Sequence, residues 1–380
     1  MYNILTLNNI SETGLASLDR SKYNVSSECK SPDAIILRSF KMHDMELPES
    51  LISVARAGSG YNNIPVEKCT EKGIVVFNTP GANSNAVKEL VLGSLFMASR
   101  KVVDAVNWAQ GLKGQDDVPG LVEKGKAAFT GPEIMGKKMG VIGLGAIGRP
   151  LADACFALGM TVYGYDPFLT LEDIKWKQVS SEEEIFTQCD YISVHVPLND
   201  ETKNKFNADV FSKVKKGLYL INFSRAELVD ESAVLQAVSD GTVSCYVTDF
   251  PTAAMLGVKN IIPVPHLGAG TPESEENCAV MASSQTKNFL EYGTILNSVN
   301  FPRCELIYTG RKRLCINHKE IPHFTLTVTE LLEKSGCTIS NMIHKVRREV
   351  GYTIIDINEA EVGCLAEIEK LDAVFRIRVI

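Results

Sequence analysis

Residues 138–167 read KMGVIGLGAIGRPLADACFALGMTVYGYDP, and this stretch decides the fold of the middle of the chain. An apolar run leads into three closely spaced glycines, an amphipathic helical pattern follows, and a second apolar run ends in Asp166. A strand, a glycine turn, a helix and a second strand, in this order, open a doubly wound parallel α/β sheet. The stretch therefore predicts a Rossmann-type sheet with a ligand site at the glycine turn.

The three glycines of GLGAIG each have a physical task. Gly143 allows the tight turn, Gly145 lets the backbone approach a pyrophosphate, and Gly148 permits close packing of helix on strand. Phosphates bound there meet the N-terminal end of a helix, which favours negative charge. Asp166 follows Gly148 by 18 residues, where an acid accepts the ribose hydroxyls of a dinucleotide and repels a 2′-phosphate. The spacing predicts NAD as the cofactor; the alternative is a glycine turn in some other α/β fold.

Composition limits the remaining classes of function. The 380 residues are too many for one domain of roughly 100 to 200 residues, and a net charge of −7 with scattered Lys and Arg argues against nucleic acid as a partner. No apolar run approaches the roughly 18 residues that span a bilayer, and no signal peptide is evident, so we expect a cytoplasmic protein without a membrane partner. The ten cysteines are dispersed, which predicts reduced packing residues, and we expect no metal site.

Strand and helix patterns divide the rest of the chain into segments. Residues 1–98 alternate helical patterns with the strand candidates NILTL, DAIILRS, LISVARAG and IVVFNTP. From Asn83 apolar residues recur at helical spacing and predict a long helix to Trp108, while the Gly-rich and charged residues 111–130 predict an interdomain loop. Residues 138–267 hold six strand candidates: KMGVIGLG, TVYGYDP, YISVHVP, LYLINFS, CYVTDFP and IIPVPHLG.

These segments predict an α/β protein of three domains. A helical stretch after Pro272 returns the chain to the first domain, so residues 1–98 and 272–300 form a discontinuous, flavodoxin-like substrate-binding domain. Residues 99–271 form the Rossmann NAD-binding domain. Residues 301–380 read β-α-β-β-α-β, from RLCINHK through a strand pair broken in REVGYTIIDINEA to VFRIRVI, which is typical of a regulatory module.

Two polar side chains follow later predicted strands, at the edge where open α/β sheets bind ligands. Arg225 lies in NFSRAELVD and His266 in PHLGAG. Reduction of a 2-oxo acid needs a cation that holds the carboxylate and an acid that protonates the oxygen as hydride arrives. Arg225 and His266 supply such a pair, although singly they also fit a surface charge and a packed turn residue. His195 fits a core or cofactor-edge role, and solvated or regulatory roles are expected for His43, His318, His323 and His344.

The motifs resemble those of the D-2-hydroxyacid dehydrogenases, and within that family the phosphoglycerate-oxidising enzymes that end in an ACT domain. The resemblance covers essentially the whole chain through VARAGSGYNNIPVEKCTEKGIVVFNTPGANSNAVKELVLG, GLGAIG with YDP, INFSRAELVD and PHLGAGTPESEENCA. It implies that Arg225 binds the substrate carboxylate, that His266 exchanges the proton, and that Asp249 holds the nicotinamide amide.

The resemblance also implies two sets of binding residues. The expected cofactor contacts are Gly143, Gly145, Ala146, Ile147, Gly148, Asp166, His195, Pro197, Asn222, Asp249 and Gly268. The expected substrate contacts are Arg38, Ser39, Ser59, Gly60, Asn83 and Arg225. For Arg38, a plain surface charge is the alternative.

The resemblance implies reversible, NAD-dependent oxidation of 3-phospho-D-glycerate to 3-phosphohydroxypyruvate, the first step of phosphorylated serine biosynthesis. It further implies a homodimer or homotetramer that pairs through the nucleotide domain. Two other readings stay open: a reductase of another 2-hydroxy acid, such as one acting on glyoxylate or hydroxypyruvate, and an NAD-binding regulator with weak or no turnover.

One departure from the family concerns the partner of the catalytic histidine. The family carries a Glu about five residues after the nicotinamide-binding Asp, and TDFPTAAML places Ala254 there. Neither Ala253 nor Ala254 can orient an imidazole or stabilise its protonated form, so His266 is expected to be a poorer acid. Glu227 and Glu273 are candidate substitutes. We expect weakened turnover with a lower pH optimum.

A second departure lies in NHKEIPHF, which matches the serine site of the ACT module. His318 matches the family His, but Glu320 and Thr338 occupy the two Asn positions. His323 follows Pro322 where Gly is usual, and its bulk opposes close backbone approach. We therefore expect weak or absent serine feedback and a module that acts mainly in assembly.

Overall fold

The structure is a computed structural model that describes residues 1–358 and 363–380. Its strands are β1 (Tyr2–Leu7), β2 (Tyr23–Ser26), β3 (Ala34–Leu37), β4 (Ser53–Arg56), β5 (Val75–Phe77), β6 (Lys138–Ile142), β7 (Thr161–Tyr165), β8 (Lys177–Gln178), β9 (Tyr191–Val194), β10 (Leu218–Asn222), β11 (Val243–Thr248), β12 (Ile261–Pro263), β13 (Lys312–Lys319), β14 (Ile339–Arg347), β15 (Val350–Ile357) and β16 (Val374–Val379). Its helices are α1 (Glu12–Leu15), α2 (Val66–Glu71), α3 (Ser84–Ser99), α4 (Val102–Gln110), α5 (Val118–Gly125), α6 (Gly148–Ala157), α7 (Glu182–Gln188), α8 (Ala208–Lys213), α9 (Glu231–Ser239), α10 (Pro272–Tyr292), α11 (Phe324–Lys334) and α12 (Leu365–Glu369).

The chain forms two compact units. One comprises residues 1–83 and 272–380, and the other comprises residues 84–271. Helix α3 belongs to the second unit because it packs on α6, β10 and β11. The division into three domains, with residues 301–380 separate, stays a prediction.

The first unit contains a parallel five-stranded sheet in the order β2-β1-β3-β4-β5. The four strands predicted in this region are confirmed as β1, β3, β4 and β5. Strand β2 was not predicted, because its sequence YNVS contains no apolar run. Helix α10 returns the chain to this sheet, packing on α1, β3 and β4. Its approach depends on Gly14, since a Cβ there would lie 2.2 Å from the Cβ of Ala279.

The second unit contains a parallel seven-stranded sheet in the order β12-β11-β10-β9-β6-β7-β8. The chain starts in the middle at β6, winds outward to β8, and then returns to the other side at β9. This is the predicted doubly wound sheet, and the carboxyl ends of β6 and β9 mark its switch point. All six predicted strands are present; the seventh, β8, has only two residues and carries no apolar pattern.

Two predictions in the region before this sheet are wrong. The predicted long helix ends at Ser99, because Lys101 adopts a left-handed conformation with φ 48° that interrupts the helix before α4 begins at Val102. The predicted loop 111–130 contains α5 and a short 3₁₀ helix, Lys126–Phe129. The Asp117 side chain caps α5 by accepting a hydrogen bond from the Gly120 amide, a helix start that the surrounding charges obscured.

The C-terminal part of the first unit has the predicted element order β-α-β-β-α-β, in an antiparallel sheet ordered β14-β15-β13-β16. Helices α11 and α12 pack on one face of this sheet. The strand pair turns at Arg348, which has φ 55°. The end of the predicted REVGYTIIDINEA segment, residues 359–360, lies outside the described residues.

The opposite face of this antiparallel sheet is joined to the rest of its unit by Arg313. The guanidinium is fully buried and forms two hydrogen bonds with the carboxylate of Asp356, at 2.6 and 2.9 Å. It also donates to the carbonyl oxygens of Tyr292, Leu306 and Ile307, at 2.8 to 3.0 Å. One side chain thus connects the sheet to the end of α10 and to the segment that follows it.

The cysteines agree with a reduced protein, since all ten are free and nine of them are buried. Burial raises the pKa of Cys69 and of Cys155 to about 12, so both remain thiols at neutral pH. Among the described residues, no helix is both long and apolar enough to cross a membrane.

Candidate cofactor and catalytic site

The glycine loop between β6 and α6 has the geometry that its sequence predicts. Gly143 has φ 92°, and a Cβ there would lie 2.5 Å from the carbonyl oxygen of His195. A Cβ on Gly148 would lie 1.8 Å from the carbonyl oxygen of Gly143. Gly145 is exposed, and a Cβ there would meet no atom within 4 Å. Two glycines therefore make the turn possible, while the third leaves one side of the loop accessible to a ligand.

Asp166 holds the loop in place. One of its carboxylate oxygens accepts a hydrogen bond from the Leu144 amide at 2.9 Å. The other accepts from the amides of Phe168 and Leu169, at 2.9 and 3.2 Å. The carboxylate thus lies beside the glycine loop, where a ribose would be bound. Its contact with ribose hydroxyls stays a prediction.

His195 lies under the glycine loop at the end of β9. Its Nε2 shares a hydrogen bond of 2.8 Å with the Ser193 hydroxyl, and its buried Nδ1 has no partner among the described residues. Burial lowers the pKa of His195 to about 4, so the ring is neutral at physiological pH. A neutral ring suits a cofactor-edge role better than proton donation. Pro197, further along the same loop, is exposed.

Asn222 positions the turn that carries Arg225. Its buried amide donates to the Arg225 carbonyl at 2.8 Å, and its side-chain oxygen accepts from the Ser224 amide at 3.1 Å. The exposed Arg225 guanidinium donates to the Ser224 carbonyl at 2.6 Å. That bond uses one of its five N–H donors, so the group retains donors for a carboxylate. The structure therefore gives Asn222 a positioning role that the sequence analysis did not predict.

The Asp249 carboxylate interacts with three other predicted site residues: His266, Gly268 and Arg225. Its carboxylate is buried, accepts a hydrogen bond from the Gly268 amide, and has one oxygen without a partner among the described residues. Burial raises the pKa of Asp249, while His266, the Gly268 amide and Arg225 act to lower it. A buried acceptor without a partner at this edge suits the predicted contact with an amide N–H.

His266 is exposed and packs against an aromatic ring. The centroids of His266 and Phe250 lie 4.9 Å apart at an interplanar angle of 59°. Sequence analysis missed Phe250; its position directly after Asp249 at a strand end was the available signal. Ala253 and Ala254 are exposed in the following turn and carry no group that could pair with the imidazole. Glu227 is exposed as well.

The first unit has its own set of predicted substrate residues, at the carboxyl ends of β3 and β4. Gly58 has φ 149°, and Ser59 and Gly60 follow it in a half-buried loop. The Asn78 amide donates to the Ser59 carbonyl at 2.7 Å, and the Ser59 hydroxyl donates to the Asn83 side-chain oxygen at 3.2 Å. The structure thus brings Ser59 and Asn83 together, and it adds Asn78 as a residue that sequence analysis missed.

Arg38 and Ser39 lie in a loop that Asn8 supports. The Asn8 side-chain oxygen accepts from the Ser39 and Phe40 amides, at 3.0 and 2.7 Å, while Asn8 itself has φ 73°. The Arg38 guanidinium forms an ion pair with Glu275 on α10. A ligand carboxylate or phosphate at Arg38 would therefore compete with Glu275. Sequence analysis also missed Asn8, although an Asn directly after a strand often adopts a left-handed conformation.

In the C-terminal sheet, His318 is not solvated, which contradicts one of the two roles expected for it; the regulatory role stays a prediction. His318 is fully buried, and its ring stacks on Phe324 at a centroid distance of 3.6 Å. Burial lowers the pKa of His318 to about 4, so the ring is neutral. His323 is exposed with φ 64°, so the backbone keeps the conformation that glycine favours although the residue is a histidine.

Comparison with known proteins agrees with this geometry. Residues 92–268 match the family model described as D-isomer specific 2-hydroxyacid dehydrogenase, NAD binding domain. The chain is 31% identical over 352 residues to D-3-phosphoglycerate dehydrogenase of Haemophilus influenzae, covering 88% of this chain and 83% of the relative. It is 32% identical over 322 residues to the Bacillus subtilis enzyme of the same name, covering 80% and 59%. The crystal structure of NAD⁺-bound 3-phosphoglycerate dehydrogenase from Entamoeba histolytica has a TM-score of 0.63 at 29% identity, covering 79% of this chain and 98% of that one.

The doubly wound sheet and its glycine loop define an NAD-binding α/β protein. The chain belongs to the D-isomer specific 2-hydroxyacid dehydrogenase family. The predicted family and the predicted NAD cofactor are therefore confirmed.

Proposed function

We propose that the chain catalyses the NAD-dependent interconversion of 3-phospho-D-glycerate and 3-phosphohydroxypyruvate. One observation carries this proposal. Asp249 interacts electrostatically with Arg225 and His266, and all three residues follow the carboxyl ends of strands in the seven-stranded sheet. The choice of substrate is supported by relatives with 31 to 32% identity that are named D-3-phosphoglycerate dehydrogenase.

Each residue of the site has a separate role in the proposed reaction. Arg225 holds the substrate carboxylate through paired N–H donors. During oxidation the C2 hydroxyl loses its proton to His266 as the C2–H bond breaks and the carbonyl forms. NAD, when bound at the glycine loop, would supply the hydride acceptor for this oxidation. Asp249 contributes negative charge that stabilises the imidazolium produced on His266, and the Asn222 amide keeps the Arg225 turn in place.

NADH absorbance with three acceptors tests the proposal: phosphohydroxypyruvate, hydroxypyruvate and glyoxylate. We expect the highest kcat/KM with phosphohydroxypyruvate. Arg225→Ala should lower it by roughly 10- to 150-fold, equivalent to the ~1.5–3 kcal/mol of hydrogen bonds to a charged group. His266→Ala should lower kcat by roughly 10²- to 10⁴-fold. A preference for glyoxylate would contradict the substrate assignment.

A second candidate function follows from Ala254. Because Ala253 and Ala254, in the turn where the family carries a Glu, have no carboxylate that could pair with His266, a regulator that binds NAD with little turnover is the alternative. NADH fluorescence that saturates, together with no oxidation of NADH by any of the three acceptors, would favour this regulator over the enzyme.

We propose a homodimer or homotetramer that assembles through α4 and α5. Neither helix has a buried residue, and they leave Val102, Val106 and Val118 exposed. Beside α4 lies a cavity of about 420 Å³ at the amino ends of β10–β12, away from the glycine loop. Apolar helix faces of this kind suit a second copy of the chain. Sedimentation analysis of Val106→Glu should show monomers where the unmodified chain assembles.

We propose that residues 301–380 form an ACT-type module that acts in assembly and binds serine weakly or not at all. The element order β-α-β-β-α-β supports the module. Both ring nitrogens of His318 already have internal partners, the Lys319 carbonyl at 2.9 Å and the Thr353 hydroxyl at 3.0 Å, which supports weak serine binding. Saturable calorimetric binding of serine near its physiological concentration would contradict it.

A further inference from the structure

Three side chains of types that can bind a metal lie close together on the C-terminal antiparallel sheet. His318 is the second-to-last residue of β13, Glu320 lies directly after this strand, and His344 lies on the edge strand β14. One donor atom from each lies within 4.8 Å of the other two. His318 is fully buried, whereas the side chains of Glu320 and His344 are 33% and 24% exposed, so the cluster has one open side.

Hydrogen bonds determine where the protons of both imidazoles lie. The Lys319 carbonyl can only accept, so the neutral His318 ring carries its proton on Nδ1 and has a lone pair on Nε2. That lone pair accepts the one proton of the Thr353 hydroxyl, at 3.0 Å. The Thr353 oxygen must then accept from Nδ1–H of His344, at 2.9 Å. A neutral His344 therefore presents a lone pair on Nε2.

This lone pair faces a second acceptor. Nε2 of His344 lies 3.3 Å from Oε2 of Glu320, and that oxygen is buried without a hydrogen-bond partner among the described residues. Two electron pairs in this position repel each other unless a cation lies between them. Two ligands on one tetrahedral zinc ion, at bonds of about 2.0–2.1 Å, are separated by roughly 3.3 Å. The observed spacing fits two ligands that share a metal, and it equally fits an ion pair between Glu320 and a protonated His344.

We propose that His344, Glu320 and His318 bind one divalent transition-metal ion of the Zn²⁺ class. Two imidazoles and a carboxylate form a donor set that zinc accepts, with water completing the tetrahedron on the exposed side. The Nδ1–H of His318 is held by a backbone carbonyl, as metal-bound imidazoles usually are. To complete the set, His318 would have to release the Thr353 hydroxyl and approach by up to about 1.5 Å, since the donor atoms lie within 4.8 Å and ligands on zinc are roughly 3.3 Å apart.

Gly351 makes room for this arrangement. It lies opposite His318 in the β13–β15 pair, and a Cβ there would lie 2.2 Å from the imidazole Cε1. The imidazole therefore occupies space that any other residue at position 351 would fill. No metal was predicted from the sequence, because the donors lie on separate segments that only the folded sheet brings together.

Zinc titration of the full-length chain tests the proposal. The protein is stripped with a chelator, and Zn²⁺ is then added in competition with a chromophoric chelator; Co²⁺ absorption reports tetrahedral coordination. We expect one site per chain that Glu320→Gln or His344→Gln weakens at least about tenfold. His323→Asn is the matched control, because this nearby exposed histidine lies outside the cluster and Asn tolerates its left-handed backbone.

Both test residues are partly exposed, and circular dichroism checks that each variant is folded. The proposal is overturned if the unmodified chain binds no Zn²⁺. It is also overturned if the Gln variants bind the same number of ions with the same affinity. In either case a proton, and not a metal, lies between His344 and Glu320.

Discussion

Replacing Arg313 with methionine should strongly destabilise the attachment of the C-terminal sheet. The substitution removes five hydrogen bonds: two to Asp356 and one each to the carbonyl oxygens of Tyr292, Leu306 and Ile307. It leaves the fully buried Asp356 without its counter-ion. Removing one partner of a buried ion pair typically costs about 3–5 kcal/mol.

The expected cost of 3–5 kcal/mol corresponds to roughly 10²- to 10³·⁵-fold more frequent opening of the sheet, at about 1.4 kcal/mol per tenfold. Hydrogen exchange of the β13 and β15 amides measures this opening directly, and urea denaturation followed by circular dichroism gives the free energy of unfolding. The exposed Arg303, which pairs with Glu305, provides the control. Arg303→Ala should change stability by no more than about 1 kcal/mol.

A double variant separates charge from packing. Arg313→Met combined with Asp356→Leu removes both charges, and it should recover a large part of the lost stability because no unpaired ion remains. If Arg313→Met alone changes exchange and urea stability no more than Arg303→Ala does, the reasoning that Arg313 contributes strongly to this attachment is refuted.

Three further predictions concern the second unit and pH. Gly148→Ala should abolish measurable NADH binding in fluorescence titrations, since its Cβ would lie 1.8 Å from a backbone oxygen; unchanged affinity would contradict the loop geometry. Ala254→Glu should raise turnover and move the pH optimum upward by stabilising protonated His266, and an unaltered rate and optimum would argue against the missing-carboxylate hypothesis. The pKa of His195 and of His318 is about 4 in the folded chain and near 6.5 when unfolded, so the unfolded state binds more protons between these values. Stability in urea should therefore fall as pH drops from about 6.5 toward 4, and a flat profile there would count against neutral buried histidines.

The parts of the fold that can be predicted from the sequence are those that depend on short contiguous segments. The glycine loop, the apolar strands around it, and polar residues such as Arg225 and His266 at strand ends all follow from local patterns. Parallel sheets align the carboxyl ends of their strands, so side chains far apart in sequence are expected at one edge. The shared surroundings of Asp249, Arg225 and His266 agree with that expectation.

The features that sequence analysis missed depend on tertiary contacts or on single backbone angles. Strands β2 and β8 lie at sheet edges and are too short or too polar to show the alternation of apolar and polar residues that predicts a strand. The break at Lys101 is a single left-handed residue inside a helical pattern. Asn8 and Asn78 act by holding backbone groups of distant loops, and His318 is buried by a partner strand. Apart from Asn8, whose position directly after a strand was a local signal, these features have no signature in composition or spacing.

The anchoring of the glycine loop has a consequence for how fast and how tightly a dinucleotide binds. The Gly143 amide donates to the Tyr165 carbonyl at 2.8 Å, and the Leu144 amide donates to Asp166 at 2.9 Å, both without any contribution from a ligand. The loop is thus preorganised, and the conformational entropy of ordering it is lost during folding, before the cofactor arrives. Contacts made with the pyrophosphate can then contribute almost fully to affinity. Asp166→Ala, which removes the side-chain anchor, would move that entropic cost from the folding step to the binding step.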